Sequence, residues 1–599
     1  MRFLILVILI NLFGVEAQTE EERVQIRLSG GLIEGRVVRF GRRVAYAFMG
    51  VPFAEPPIGD LRFRPTRLKS SWEGVWDATR YGPPCAQRTK ETILPLYDSS
   101  EDCLHVNVYT APRCFERPCP VLFYVHGGGF YFDAPTMFNE TLIMQNFASH
   151  DIVFVMPAYR LGIFGFLDTG SDDLPDIPQN AGILDLITAL RWTQLELQRF
   201  GGDPRRMTVI GNSAGAHLAF ILLQSPLVEK AAFQSAIISS GMIGIRRDSC
   251  TKMTEEVMKR VECFHSFSNL QSKIDCMRTK TTDELLNAMS DTEPTWIEIT
   301  PQPDTFVLPA QSVSEFLQNW QGLPLIVLTT QDEFFMTIRP TVESKCKHLV
   351  ENFGYPNPKT VDACIQYYTT VSNLNYTVRD AYHAFMHRLA AINTQQGASC
   401  CWFKYKGYPT FAALFAQPHG LRHADDLKYL LGLHPIKPKD KDDDDLKMDV
   451  FYPKIIRKFI RDGPDGMEGW APTDDFGRNY YWMRFQQSPN SSTLIDWPHM
   501  VHGEFFQPKE TNFWLEDLKE INDGADHKEV DSGIDIPHRP PPPPPKIHEE
   551  PSAWLAFWLV LGVCVVLAVA LSSIIFYWIS ARLKVLGMVV DKDDGQKTV

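Results

Sequence analysis

The chain has no surplus of positive charge to offer a polyanion. Its 599 residues carry 59 Lys and Arg against 72 Asp and Glu, a formal net charge of -13. No basic stripe is available to neutralise phosphates, which excludes nucleic acid as a partner. No internal repeat is present, which excludes a solenoid or propeller array. Each end of the chain holds a charge-free apolar run, and each has a specific meaning. At the start, Arg2 precedes the apolar stretch from Phe3 to Phe13 and Val15-Glu16-Ala17 supplies a cleavage context, so residues 1–17 read as a signal peptide. Near the other end, Ala553 to Ser580 holds no charge and is edged by Trp554, Trp558, Tyr577 and Trp578. It is long enough to cross a hydrocarbon core of about 30 Å. Glu549 and Glu550 precede this run, and Arg582 and Lys584 follow it. The asymmetry predicts a single-pass type I membrane protein with a lumenal or extracellular body and a cytosolic tail over residues 581–599.

What remains between these ends is ordinary globular material, 44% hydrophobic and 22% charged. Twelve cysteines in an exported chain are expected to be mostly bridged. Cys564 lies inside the apolar span, so the other eleven form an odd set and at least one is free or pairs with another chain. The sequons at Asn139, Asn375 and Asn490 fit the same topology as glycosylation acceptors. Residues 528–552 hold Pro540 through Pro545, a polyproline II spacer between body and membrane. Pro435 to Asp445, with its packed aspartates, reads as a solvated loop and not as a metal site.

Within the body, residues 18–527, Val24 to Leu61 alternates and is punctuated by glycine, as edge strands and hairpins do. Short β-branched runs then alternate with helical segments. Strands are predicted at Cys119–Val125, Asp151–Met156, Met207–Ile210, Ala236–Ser239 and Leu323–Leu328. Helices are predicted at Gly182–Phe200 and from Ala214 to about Gln224. The alternation implies an α/β fold with a mainly parallel sheet between helices. Thr251 to Asn319 is helix-rich and reads as a cap on that sheet.

Chemistry enters at Gly211-Asn212-Ser213-Ala214-Gly215, where a strand passes straight into a small-residue helix start. Such a nucleophile elbow holds its serine in a strained turn with the hydroxyl projecting toward the helix N-terminus. Upstream, the strand ending at Val125 runs into His126-Gly127-Gly128-Gly129-Phe130, whose unshielded N–H groups suit a developing oxyanion.

These motifs, together with Phe48-Met-Gly-Val-Pro-Phe-Ala-Glu-Pro-Pro-Ile-Gly59, Ser100-Glu-Asp-Cys-Leu104, Ala158-Tyr-Arg-Leu-Gly-Ile-Phe-Gly-Phe-Leu167 and Phe200-Gly-Gly-Asp-Pro204, resemble the type B carboxylesterases, the cholinesterase-like branch of the α/β-hydrolases. The resemblance covers Gly35 to about Phe506. It implies the α/β-hydrolase fold, a small-molecule ester as substrate, and no cofactor or metal. It places the nucleophile at Ser213. The acid falls at Glu333, within Leu328-Thr-Thr-Gln-Asp-Glu333, with Asp332 as the alternative. The base falls at His423, before Asp425-Asp426, with His419 as the alternative. Gly128, Gly129 and Ala214 become the oxyanion donors. By position in the family, Cys85 pairs with Cys103 and Cys263 with Cys276. Cys114 with Cys119 and Cys346 with Cys364 are close in sequence, but spacing does not fix their connectivity.

The chain departs from the family in three places. Asn212 stands where glutamate is usual, which removes a charge beside the site and predicts weaker support for a protonated His423. Phe334 replaces the usual glycine after the acid. No tryptophan lies between Cys85 and Cys103, where cholinesterases hold a quaternary ammonium by cation–π attraction, so choline esters are not expected substrates. Two other activities remain open on sequence alone. The same triad serves an acyltransferase that passes the acyl group to an alcohol, and some relatives, such as neuroligin, are adhesion proteins. The adhesion relatives usually carry a damaged catalytic set, whereas here it is complete.

Overall fold

Runs of valine, isoleucine and phenylalanine with no polar alternation build the centre of a 13-stranded sheet. The computed structural model describes residues 22–524 apart from 88–97, 172–173, 175, 242–248, 265–268, 291–300, 305, 311, 321, 331–332, 334–340, 371–375, 396–399, 406–422, 433–442, 468–472, 474–477, 479, 484–485, 488–493, 497–498, 502, 504 and 506. The chain divides into two units, Met1–Lys528 and Glu529–Val599. The second unit, and with it the predicted span and tail, lies outside the described residues, as does the predicted signal peptide. Among the described residues no helix is long and apolar enough to cross a membrane.

The sheet opens with the hairpins expected before Leu61: β1 (Arg23–Arg27), β2 (Leu32–Phe40) and β3 (Arg43–Pro52) pair antiparallel, and β4 (Val75–Asp77) pairs with β2. β3 is antiparallel to β5 (His105–Thr110), and β5 to β7 (Val153–Pro157). From β7 onward the neighbours β6 (Cys119–Val125), β8 (Gly202–Asn212), β9 (Ser235–Ser239), β10 (Leu325–Thr330), β11 (Cys400–Tyr405) and β12 (Tyr480–Met483) are all parallel. His499–Val501 closes the sheet antiparallel to β12. The result is a mixed sheet whose middle is parallel. Its β6, β7, β9 and β10 strands are buried at every position, the mark of a sheet covered on both faces. The covering elements include the helices Ala181–Glu196 and Ala214–Gln224. The first stops earlier than its apolar pattern suggests, because Leu197–Phe200 tightens into a 3-10 turn ending at Gly201 with φ 76°.

The cap region contains the helices Ser249–Arg260, Leu270–Thr279, Thr282–Ser290 and Val313–Gln318. One expectation is corrected at its C-terminal edge. The acidic segment read as solvated loop to Asp445 is helical from Asp443, within the helix Asp443–Asp462. Asp445 is buried, accepts a hydrogen bond from the Tyr429 hydroxyl and pairs with Lys428 at 3.3 Å. Acidic residues at a helix start favour its macrodipole, and this tertiary pairing offsets the repulsion on which the loop reading rested. Residues 433–442 lie outside the described residues.

Four disulfides staple the body: Cys85–Cys103, Cys114–Cys119, Cys263–Cys276 and Cys346–Cys364. Cys250 is buried and belongs to none of them.

Candidate active site

The parallel strands deliver their C-terminal ends to one edge, where an open α/β sheet places its ligands. β8 ends there at Asn212, and Ser213 turns into the helix Ala214–Gln224 with φ 58° and ψ -126°. Side chains rarely adopt this conformation, and here the surroundings impose it. A Cβ on Gly215 would sit 2.2 Å from the Val125 carbonyl oxygen and 2.4 Å from that of His126, so the helix start can press against the end of β6 only as glycine.

The glycine loop after β6 lies against the elbow. Gly128 has φ 91°, and a Cβ there would lie 1.9 Å from the Phe132 carbonyl oxygen. The Tyr159 hydroxyl, 2.9 Å from the His126 carbonyl oxygen and 3.2 Å from that of Gly127, shares one proton between two acceptors and pins the loop from below. Gln87 pins it from the side. Its Nε2 donates to the Asp133 carbonyl oxygen at 2.9 Å, and its Oε1 accepts from the Asp133 N–H at 2.9 Å. Gln87 lies two residues beyond Cys85, so the disulfide loop and the glycine loop are tied together. Asp133 itself has φ 83°, and its carboxylate accepts from the Ala134 N–H. The side chain keeps some exposed surface, but protein crowds the carboxyl. Loss of hydration pushes it up to about 7 against the lowering effect of that N–H.

Glu333 and His423 complete the arrangement. His423 Nε2 lies 2.7 Å from Ser213 Oγ, and its Nδ1 lies 2.6 Å from Glu333 Oε2. Glu333 is fully buried, and its other oxygen, Oε1, accepts from Ser240 Oγ at 2.6 Å, the Thr330 N–H at 2.7 Å and Thr329 Oγ1 at 3.0 Å. Burial alone would raise this carboxyl. The charge and hydrogen bond of His423, then those of Ser240 and Thr330, outweigh it and hold the group below the usual carboxylate range. An ionised Glu333 only accepts, so it fixes the proton on His423 Nδ1 and leaves Nε2 to accept from Ser213. The neighbouring histidines are unsuited to base chemistry: burial pushes His126 down to about 4 and His217 to about 3. The structure thus brings Ser213, Glu333 and His423 together, with Gly128, Gly129 and Ala214 on the segments that flank the serine. Asp332, His419 and Phe334 lie outside the described residues.

Several participants carry no signal in the sequence. Ser240 follows β9 with φ 51° and reaches Glu333 across 93 positions. His383, buried in the helix Thr377–Gln395, supports the same corner through Nε2, 3.0 Å from the Thr330 carbonyl oxygen. Asp426, three residues past His423, accepts from the Tyr452 hydroxyl at 2.9 Å. Burial pushes Asp426 up to about 6 although that bond opposes it. Asn212 is 2% exposed and donates to Ser239 Oγ at 3.2 Å, so a neutral side chain fills the family's glutamate position with a partner of its own.

The profile of the carboxylesterase family matches residues 20–514. Liver carboxylesterase 1F of Rattus norvegicus is 29% identical over 474 residues, 70% of this chain and 82% of the relative. Para-nitrobenzyl esterase of Bacillus subtilis (strain 168) is 28% identical over 487 residues, covering 78% of this chain and 91% of the relative. Acylcarnitine hydrolase of Mus musculus is 32% identical over a shorter stretch of 298 residues, 47% of this chain and 51% of the relative. With the elbow, the glycine loop and a profile match over most of its length, the chain belongs to the carboxylesterase family.

Proposed function

We propose that this chain hydrolyses carboxylic esters through an acyl-enzyme on Ser213. The observation that carries the reading is the unbroken relay from Ser213 Oγ to His423 Nε2 at 2.7 Å and from His423 Nδ1 to Glu333 at 2.6 Å. A serine hydroxyl is a poor nucleophile at neutral pH, so His423 takes its proton as Oγ attacks the ester carbonyl. Glu333 stabilises the imidazolium. The N–H groups of Gly128, Gly129 and Ala214 receive the oxyanion, and loss of one such donor costs about 10²–10³ in kcat in enzymes of this type. His423 then returns its proton to the leaving alcohol, and water repeats the sequence to release the acid. The names of the relatives, esterases and a hydrolase, support water over an alcohol as the acceptor. A fluorophosphonate probe tests the reading. Stoichiometric labelling, lost in Ser213→Ala together with turnover of a chromogenic ester, is the expected result; a folded native protein that takes up no label overturns it.

We further infer a signal peptide over residues 1–17, the catalytic body over 18–527, a proline-rich stalk over 528–552, one span over 553–580 and a cytosolic tail, with the body lumenal or extracellular. Asn375 and Asn490 are the preferred glycan acceptors. Asn139 is the poorer one, since its Oδ1 caps the helix Glu140–Asn146 through the Leu142 N–H and its Cβ packs on Gly432. Protease removal of the tail and protection of the body in sealed microsomes, with glycosidase-sensitive mobility of the body, is the expected outcome.

A further inference from the structure

In a chain of net charge -13, four basic side chains converge with no acid among them. They come from three elements that carry no member of the triad: the start of β3, the 3-10 turn Ala148–His150, and the helix Asp443–Asp462. A guanidinium nitrogen of Arg43, Nη1, lies 3.1 Å from His150 Nδ1 and 2.5 Å from His150 Nε2. Arg457 is 9% exposed and donates from Nη1 to the Asn146 carbonyl oxygen at 2.9 Å, at the end of the helix Glu140–Asn146. Its Nε is buried without a hydrogen-bond partner. Arg461 stands one turn further along the same helix face, and its carbonyl oxygen accepts from Arg206 Nη2 at 3.0 Å.

The acids that adjoin this cluster do not neutralise it. Asp151, next to His150, is taken by Arg113 at 3.4 Å. Among the described residues Arg43, Arg457 and Arg461 make no ion pair with a carboxylate. The electrostatic consequence is visible in two groups. Burial, then Arg461 and Arg43, pushes Arg457 down to about 10. Burial, then Arg457, Arg43 and Arg461, pushes His150 down to about 4, so the ring is neutral between three cations. A helix C-terminus accounts for one bond of Arg457. It does not account for a buried, unpaired Nε or for two further guanidinium groups drawn to the same place, since like charges one turn apart repel.

We infer that Arg43, His150, Arg457 and Arg461 form a binding site for a dianionic oxyanion of the phosphate-monoester class. Guanidinium groups recognise tetrahedral oxyanions through several charge-assisted N–H donors, and a double negative charge matches a cluster of three such cations better than a single carboxylate does. Arg43 is exposed and forms the open side; Arg457 forms the floor. A soluble phosphate ester and the headgroup of a phosphatidic acid present the same chemistry.

The test uses the full-length chain in detergent. Inorganic phosphate is titrated by calorimetry against chloride at matched ionic strength. Binding to vesicles of phosphatidylcholine with and without phosphatidic acid is measured on the same preparation. The expected result is saturable phosphate binding, weakened about tenfold or more in Arg43→Gln and in Arg461→Gln, with ester turnover unchanged. Arg43→Gln is the deciding variant because its side chain is exposed, whereas Arg457→Met also removes a helix-end contact. Selective binding to phosphatidic acid vesicles that follows the same variants assigns a lipid source; phosphate binding without vesicle binding assigns a soluble one. Phosphate binding no stronger than the chloride control, or equal binding in the native protein and both variants, overturns the inference.

Discussion

Replacing Glu333 by glutamine tests the tautomer argument on which the proposed mechanism depends, because the structure dictates which way the new amide must turn. Three donors converge on Oε1: Ser240 Oγ, the Thr330 N–H and Thr329 Oγ1. They demand an acceptor, so the amide oxygen of Glu333→Gln goes there and its NH₂ faces His423 Nδ1. That nitrogen must then accept, the ring proton moves to Nε2, and Nε2 can no longer take the proton of Ser213. The substitution keeps size and packing, so the loss falls on chemistry. The equivalent change in a serine protease lowers kcat by about 10⁴, or roughly 5.5 kcal/mol, and a loss of that order is expected here. The assay is steady-state hydrolysis of a chromogenic ester, with a fluorophosphonate reacting on the same preparation and thermal unfolding as the control for folding. KM should change little, and labelling should slow in parallel with kcat. Activity of a folded Glu333→Gln protein within tenfold of the native value would refute the assignment of the acid and of the tautomer it sets.

Ser240→Ala removes one of four donors from the buried carboxylate; a hydrogen bond to a charged group contributes about 1.5–3 kcal/mol, so kcat should fall by about tenfold to a hundredfold with KM nearly unchanged, read in the same ester assay. Gln87→Ala breaks both bonds to the Asp133 main chain. It should cost about 2 kcal/mol in stability by denaturant titration and lower kcat, whereas an equal rise in KM alone would place Gln87 in ground-state binding instead. Asp133→Asn tests the pH linkage. With a folded value of about 7 against an unfolded value near the ordinary carboxylate, the native state holds the extra proton between the two, so stability falls as pH rises through that window. The variant should therefore unfold at a higher temperature than the native protein at pH 8, with a smaller gain at pH 4.5, by scanning fluorimetry.

The sequence carried the parallel core and the elbow plainly, because both are written locally. A buried strand needs only a continuous β-branched run, as in Cys119–Val125, and the elbow needs small residues at fixed spacing, as at Gly211 and Gly215. The acid and the base were reached only through the family resemblance, since nothing in Thr329-Thr330-Gln331-Asp332-Glu333 or in His423-Ala424-Asp425-Asp426 marks one residue over its neighbour. Ser240, Gln87 and His383 were illegible for a stronger reason. Each acts across a long sequence separation through one or two hydrogen bonds, and a serine, glutamine or histidine in a loop or helix is common. The acidic run ending at Asp445 failed in the opposite direction. Local repulsion predicted a loop, and a buried partner, Lys428, supplied from the far side of an undescribed segment, reversed the sign of the argument.

That reversal has a counterpart at the proposed site, where burial sorts charged from neutral groups. His126 and His217 lose their protons to desolvation, at about 4 and about 3, and are neutral at neutral pH. Asp133 and Asp426 are driven the other way, to about 7 and about 6, because the hydrogen bonds they accept do not offset the loss of hydration. Glu333 is as buried as any of them and yet is held ionised, because the charge of His423 acts on it and four donors, one of them that imidazole, add to the effect. The charge of His423 together with the hydrogen bonds, and not depth, therefore decides which carboxylate carries charge beside Ser213. With Asn212 in place of the family's glutamate, no second carboxylate competes at that position, and stabilisation of a protonated His423 depends chiefly on Glu333 and on whatever charge Asp426 keeps. Below about pH 6, where Asp426 is protonated, Glu333 carries that role alone.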